Sequence, residues 1–335
     1  MFGVLPVLTA ALSLACIASA DGLNTRAQAR GRYWGTAINP GVMADSKAGP
    51  ILRNPEDFGS YTAENEMKFD ALERSPGSFN YGTADRIVAQ AKSIGAKMRC
   101  HTLVWHDQVP GWLQNGGFNK TQLISIMEAH IQNVVTHFKG SCYAWDVVNE
   151  AINWDGSYRI KDSIWGSTLG PADYIPRAFK AARAADPDAK LYYNDYGCDK
   201  PSRKSTGAQN LIKMVQDAGA PIDGMGFQAH LTTGDIGDVA TLVRNLNAFT
   251  ALGVDVAYTE LDIAAKNGST QFEQQATDYA TVVKACLQVD RCVGITAWGF
   301  TDAHSWINGG NALIWDADYN KKPAYSAILN AWSSG

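Results

Sequence analysis

The chain has 335 residues, 46% of them hydrophobic, and a formal net charge of −4. That balance argues against a polyanion such as nucleic acid as partner, and the length supplies one core large enough for a barrel-sized domain. Ten tryptophans serve either a large core or stacking on flat ligands such as sugar rings.

Residues 1–20 read as a leader. Val4 to Ile17 is apolar, and Ala18-Ser19-Ala20 has the small-x-small form of a signal-peptidase site. The run is short for a bilayer span and lacks a basic n-region. The alternative is a buried N-terminal helix. The expectation is a secreted protein with no membrane segment, whose residues 21–335 form one catalytic domain. Secretion permits disulfides. Cys286 and Cys292 flank a polar turn and are expected to pair. Cys100 and Cys142 lie inside apolar strand-like runs and read as free buried thiols; Cys198 is unassigned. Asn119 and Asn267 open glycosylation sequons.

Strand-like runs then follow at Tyr33–Asn39, Ser60–Glu64, Lys97–Trp105, Tyr143–Glu150, Lys190–Asp195, Gly224–His230, Val254–Asp262 and Gly294–Phe300. Between them the apolar period is helical. Leu123, Met127, Ile131, Val134 and Phe138 form one stripe, opened by Asn119 with Gln122 three residues on, an N-cap pattern. Val239, Leu242, Val243, Leu246 and Phe249 form another. Gly95, Gly140, Gly219 and Gly253 are placed to end helices just before strands. Eight strand–helix units predict a closed parallel sheet, a (β/α)8 TIM barrel in a single domain. An open doubly wound sheet is disfavoured by the lack of a Gly-rich loop after the first strand.

In such a barrel the chemistry sits at the C-terminal strand ends. Those ends carry Glu64-Asn65-Glu66-Met67-Lys68, His101 and Trp105-His106, Asn149-Glu150, Asn194-Asp195-Tyr196, Gln228-Ala229-His230, Glu260-Leu261-Asp262 and Trp298 to Asp302, with Ser305-Trp306 soon after. So many costly polar groups on one rim predict a ligand site. Glu150 and Glu260 each close an apolar run, as a pair of carboxylates for glycosidic bond cleavage must. A lone carboxylate in such a place is as often a plain cap or ion pair. No His-Glu-x-x-His spacing is present, so neither a catalytic metal nor any other cofactor is expected.

These motifs resemble the secreted, fungal-type endo-β-1,4-xylanases of glycoside hydrolase family 10, over Tyr33 to Trp332. The resemblance implies a retaining reaction with Glu150 as acid/base and Glu260 as nucleophile, their carboxyls roughly 5–5.5 Å apart. His230, fixed by Asp262, is then expected to hold Glu260 anionic, and Asn149 to meet the sugar 2-hydroxyl. It further implies that Glu64, Asn65, Lys68, His101 and Trp105 bind sugar on the non-reducing side, roofed by Trp298 and Trp306. Gln228 is expected to bind substrate as well, and Tyr196 is a candidate for stacking on the other side. The implied partner is xylan or a xylo-oligosaccharide, met by a monomer. A β-1,4-glucanase is the competing enzyme and a catalytically silent carbohydrate binder the competing class. Two departures stand out: Cys100 where glycine is usual, expected to press on its strand or on His101, and a short Trp306–Trp315 segment, expected to leave the reducing-side groove or the roof more open.

Overall fold

A computed structural model describes residues 21–334; the leader expected at residues 1–20 lies outside them. In chain order the strands are β1 (Tyr33–Ile38), β2 (Ser60–Ala63), β3 (Lys97–Val104), β4 (Cys142–Asn149), β5 (Lys190–Asp195), β6 (Gly224–Phe227), β7 (His230–Thr232), β8 (Asp255–Ala264) and β9 (Cys292–Ala297). Neighbours pair in parallel from β1 to β6, β6 pairs with β8, β8 with β9, and β9 with β1. The result is a closed barrel of eight, as the strand–helix alternation predicts. Its strands are buried almost throughout, which is why they read as apolar runs rather than alternating ones.

Most strand ends fall a few residues from the expected bounds, and two of the differences bear on the site. The run Gly224–His230 is not one strand. Ala229 takes a left-handed backbone (φ +61), which breaks the extended chain after Phe227 and lets β7 resume beside the outer half of β8, with His230 opposite Asp262. β8 therefore has a ladder partner beyond Glu260 and runs on to Ala264, so Glu260 lies inside the strand and not at its end.

The helices wrap the barrel by their apolar stripes. Helix Lys120–His137 buries Leu123, Met127, Ile131 and Val134 and opens on the expected Asn119–Gln122 capping box. Helix Val239–Thr250 buries Leu242, Leu246 and Phe249 and packs Val239 and Val243 at its margin. The four glycines expected to end helices do so with positive φ. Among the described residues no helix is long and apolar enough to cross a membrane.

Cys286 and Cys292 are bonded, as expected. Cys100 and Cys142 are also bonded, which corrects the reading of them as free thiols. They sit on neighbouring strands, where Cys142 faces Met98 in register and Cys100 faces Trp145. That adjacency is a property of the closed sheet and is invisible in a linear apolar run. Successive side chains on a strand point to opposite faces, so the bond lies across β3 from His101 and does not press on it. Cys198 is a buried free thiol.

The Cys100–Cys142 bond joins residues 42 apart in sequence, and closing a loop of that length in the unfolded chain corresponds to roughly 3–4 kcal/mol. The Cys100→Ser, Cys142→Ser double variant is expected to lose about 2–4 kcal/mol in urea unfolding. An unshifted midpoint would show that the bond adds nothing.

Candidate active site

The C-terminal strand ends open into a groove of about 950 Å³ that reaches Glu150, Glu260 and most of the polar residues read from the sequence. Glu150 follows β4 directly and adopts φ +56. A left-handed non-glycine residue costs about 1–3 kcal/mol and persists only where its surroundings over-determine it. Here three bonds do so. The Glu150 N–H donates to the Asn194 carbonyl (2.9 Å), Arg159 Nε donates to the Glu150 carbonyl (2.9 Å), and the Ala151 N–H donates to the Tyr193 hydroxyl (3.0 Å). The Glu150 side chain then accepts from Trp105 Nε1 at 2.8 Å and from Gln228 Nε2 at 2.9 Å, one donor per oxygen.

Glu260 is buried. It accepts from Asn194 Nδ2 at 2.8 Å and from His230 Nε2 at 3.2 Å. Burial works to raise its pKa, but the His230 hydrogen bond, the nearby His101 and His230 charges and the Asn194 amide outweigh it and hold the carboxyl below its ordinary value. His230 Nδ1 lies 2.9 Å from Asp262 Oδ2. Burial alone would lower the imidazole's pKa; the two carboxylates, Asp262 foremost, raise it to about 10. A charged His230 thus donates to both acids.

The two glutamates belong to one hydrogen-bonded chain. Asn194 Nδ2 spans Glu260 Oε1 and the Asn149 side-chain amide (3.0 Å), and Gln228 Nε2 spans that same amide (3.2 Å) and Glu150 Oε1. Asn194 in turn is aimed by Thr259, whose hydroxyl donates to Asn194 Oδ1 at 2.6 Å. Gly226 leaves room for it, since a Cβ there would meet Asn194 Oδ1 at 2.3 Å.

The remaining residues line the groove as follows. Lys68 does not pair with Glu64; its Nζ donates to Asn65 (2.9 Å) and Gln108 (2.6 Å) and lies 5.0 Å above the Trp105 ring. Desolvation lowers the Lys68 pKa against the pull of Glu260 and other acids. Glu64 accepts from Asn39. His101 is oriented through Nδ1 by Asp146, itself ion-paired to the fully buried Arg99, and its ring meets Trp298 edge-on at 5.6 Å. Trp306 is half exposed but donates from Nε1 to Asp262 at 2.8 Å. Tyr196 accepts from Arg159 Nη2 at 3.2 Å. His106 sits behind Glu150, with its Nδ1 3.9 Å from the carboxylate and its pKa lowered by burial and by Arg159. Among the described residues no group of three or more His, Cys, Asp or Glu is placed to hold a metal.

Gln108 and Arg159 are not singled out in the sequence. Asn39 and Asn194 stand there as polar residues at strand ends with no role assigned; the register of Asn194 opposite Asn149 appears once β4 and β5 are paired.

The profile of glycosyl hydrolase family 10 matches residues 22–331. The chain belongs to that family. It is 48% identical to endo-1,4-beta-xylanase D of Talaromyces funiculosus, over 97% of this chain and 81% of that one. It is 45% identical to endo-1,4-beta-xylanase 1 of Humicola insolens, over 96% and 76%. Among solved structures it superposes on native xylanase 10B of Thermotoga maritima with a TM-score of 0.88 and 36% identity, over 93% of this chain and 98% of that one. Family membership makes the chain a glycoside hydrolase on a (β/α)8 barrel.

The shifts at Glu260 and His230 set a pH window. Glu260's contribution to stability is present above the ordinary carboxyl value and fades as pH falls through its lowered one. His230's is complete below about 6.5 and fades as pH rises through about 10. Replacing His230 by Gln removes a charged donor that lowers the Glu260 pKa, while burial, which raises it, stays. The Glu260 carboxyl signal in protein labelled with [13C]glutamate is expected to titrate at higher pH in that variant. Titration at the wild-type pH would show that His230 does not hold the charge.

Proposed function

We propose that the chain is a retaining endo-β-1,4-xylanase that cleaves internal β-1,4-xylosidic bonds of xylan and xylo-oligosaccharides. The observation that carries this reading is the continuous hydrogen-bonded chain from Glu260 through Asn194, Asn149 and Gln228 to Glu150, with one end held anionic. Relatives add support. The Thermotoga petrophila xylanase 10B structure contains xylobiose, and that of Cellvibrio japonicus xylanase 10C contains xylopentaose.

In the first step Glu260 attacks the anomeric carbon, and the glycosidic C–O bond breaks as Glu150 gives its proton to the leaving oxygen. In the second, Glu150 takes a proton from water, and the resulting hydroxide oxygen displaces Glu260 from the glycosyl ester. Inversion at each step restores the original configuration. Asn149, clasped by Asn194 and Gln228, is set to meet the 2-hydroxyl, where hydrogen bonding strengthens in an oxocarbenium-like transition state. Glu64, Asn65, Lys68, His101 and Trp105 bind the non-reducing side, with Trp298 and Trp306 above. Glucose carries a hydroxymethyl group at C5 that xylose lacks, and a site selective for xylose must crowd that position, with Lys68, Trp298 or Trp306 as the candidates. The enzyme acts as a secreted monomer, residues 1–20 being its signal peptide and 21–335 its catalytic domain.

Proton NMR of a fresh digest is expected to show the β anomer first; an initial α product would contradict double displacement. Glu260→Ala is expected to abolish turnover. Glu150→Ala should lose about 10²–10⁴-fold on xylan yet act on aryl xylosides whose leaving group needs no proton, and azide should rescue it to a β-glycosyl azide. Equal residual activity in the two variants would contradict the role assignment.

A further inference from the structure

Trp154 is unusually open for its size, at 67% exposed. Yet it is firmly held. The turn that carries it is closed by bonds from the Asn153 N–H to the Ser157 carbonyl (2.8 Å) and from the Gly156 N–H to the Asn153 carbonyl (3.0 Å), with Asp155 accepting from the Ser157 N–H (2.9 Å). The ring meets Tyr196 edge-on, centroids 5.3 Å apart. The buried Lys204 ammonium lies 5.0 Å from the Trp154 ring centre and 3.2 Å from that of Tyr196, and it is itself anchored by Asp195 at 2.8 Å. Gly197, at φ +63, completes the seat: a Cβ there would come within 2.4 Å of the indole. One side of the indole is therefore built in and the rest faces the groove.

We propose that Trp154 is a stacking residue for the leaving part of the substrate, taking a sugar farther from the scissile bond than the one that meets Tyr196. The chemistry fits. An aromatic face backed by a rigid support receives the apolar C–H face of a pyranose with little loss of side-chain freedom. The side follows from the chain. Trp154 stands four residues after Glu150, and Tyr196 is tied through Arg159 to the Glu150 carbonyl. The platform therefore extends from the proton-donor wall, away from the Asn65, Lys68 and Gln108 cluster. The groove is also lined by Lys200 and Asp235, ion-paired at 3.1 Å, which offer polar groups to sugar hydroxyls. The occupant is the next unit of the same chain of β-linked sugars, because the groove is continuous past the two glutamates.

This inference rests on Glu150 and Glu260 being the catalytic pair, so binding and turnover are read separately. Affinities for xylotriose and xylohexaose are measured by calorimetry in Glu260→Gln and in the Glu260→Gln, Trp154→Ala double variant. Loss of one stacked ring is expected to weaken xylohexaose binding by roughly three- to tenfold relative to xylotriose, and Trp154→Phe should recover most of it. Equal weakening for both oligomers, or none for either, would overturn the proposal. Residual turnover by Glu260→Gln would instead count against the catalytic assignment, and the affinity ratio would still judge Trp154.

Discussion

Asn194 is the joint on which the groove depends. It stands at the end of β5, on the opposite side of β4 from β3, and one amide group serves both the Asn149 side chain and Glu260. Its own orientation is set by the Thr259 hydroxyl and by the missing side chain at Gly226. Its backbone carbonyl also receives the Glu150 N–H. One residue thus fixes the backbone of one carboxylate and the side chain of the other. A buried amide in that position has no water to fall back on, so misplacing it strands several polar groups at once.

Below this joint lies a second layer of fixed charge. Arg99 and Asp146 form an ion pair inside the barrel, and Asp146 uses its remaining capacity to orient His101. Lys204 and Asp195 form another under Tyr196, with the Tyr193 hydroxyl linking Asp195 to the Ala151 N–H. Such pairs add little net stability, but losing one partner leaves an uncompensated buried charge at a cost of several kcal/mol. Their effect is positional. They hold the rim residues in single orientations, so the groove meets a flexible polysaccharide with little left to organise.

Much of this was legible in the sequence, for physical reasons. Parallel strands buried on both faces leave apolar runs, and helices on one face leave stripes such as Leu123 to Phe138. Charged groups that close apolar runs, like Glu150, or interrupt them, like Glu260, are costly enough to be conspicuous. What escaped depends on neighbours across the sheet or on a single backbone angle. The Cys100–Cys142 bond and the Asn149–Asn194 contact arise from strand register. The break between β6 and β7 arises from φ at Ala229. Arg159, Gln108 and Trp154 lie on connecting loops, whose course no apolar period reveals.

The central claim is that Glu260 becomes covalently bonded to the sugar while Glu150 handles the proton. A 2-deoxy-2-fluoro-β-xylobioside with a dinitrophenyl leaving group tests it directly. Fluorine at C2 disfavours positive charge at the anomeric carbon and slows both steps, while the good leaving group still allows the first, so the ester accumulates. Mass spectrometry of peptides from the inactivated enzyme is predicted to find the fluoro-xylobiosyl mass on Glu260. The same mass on another residue, or inactivation with no adduct, would contradict the account.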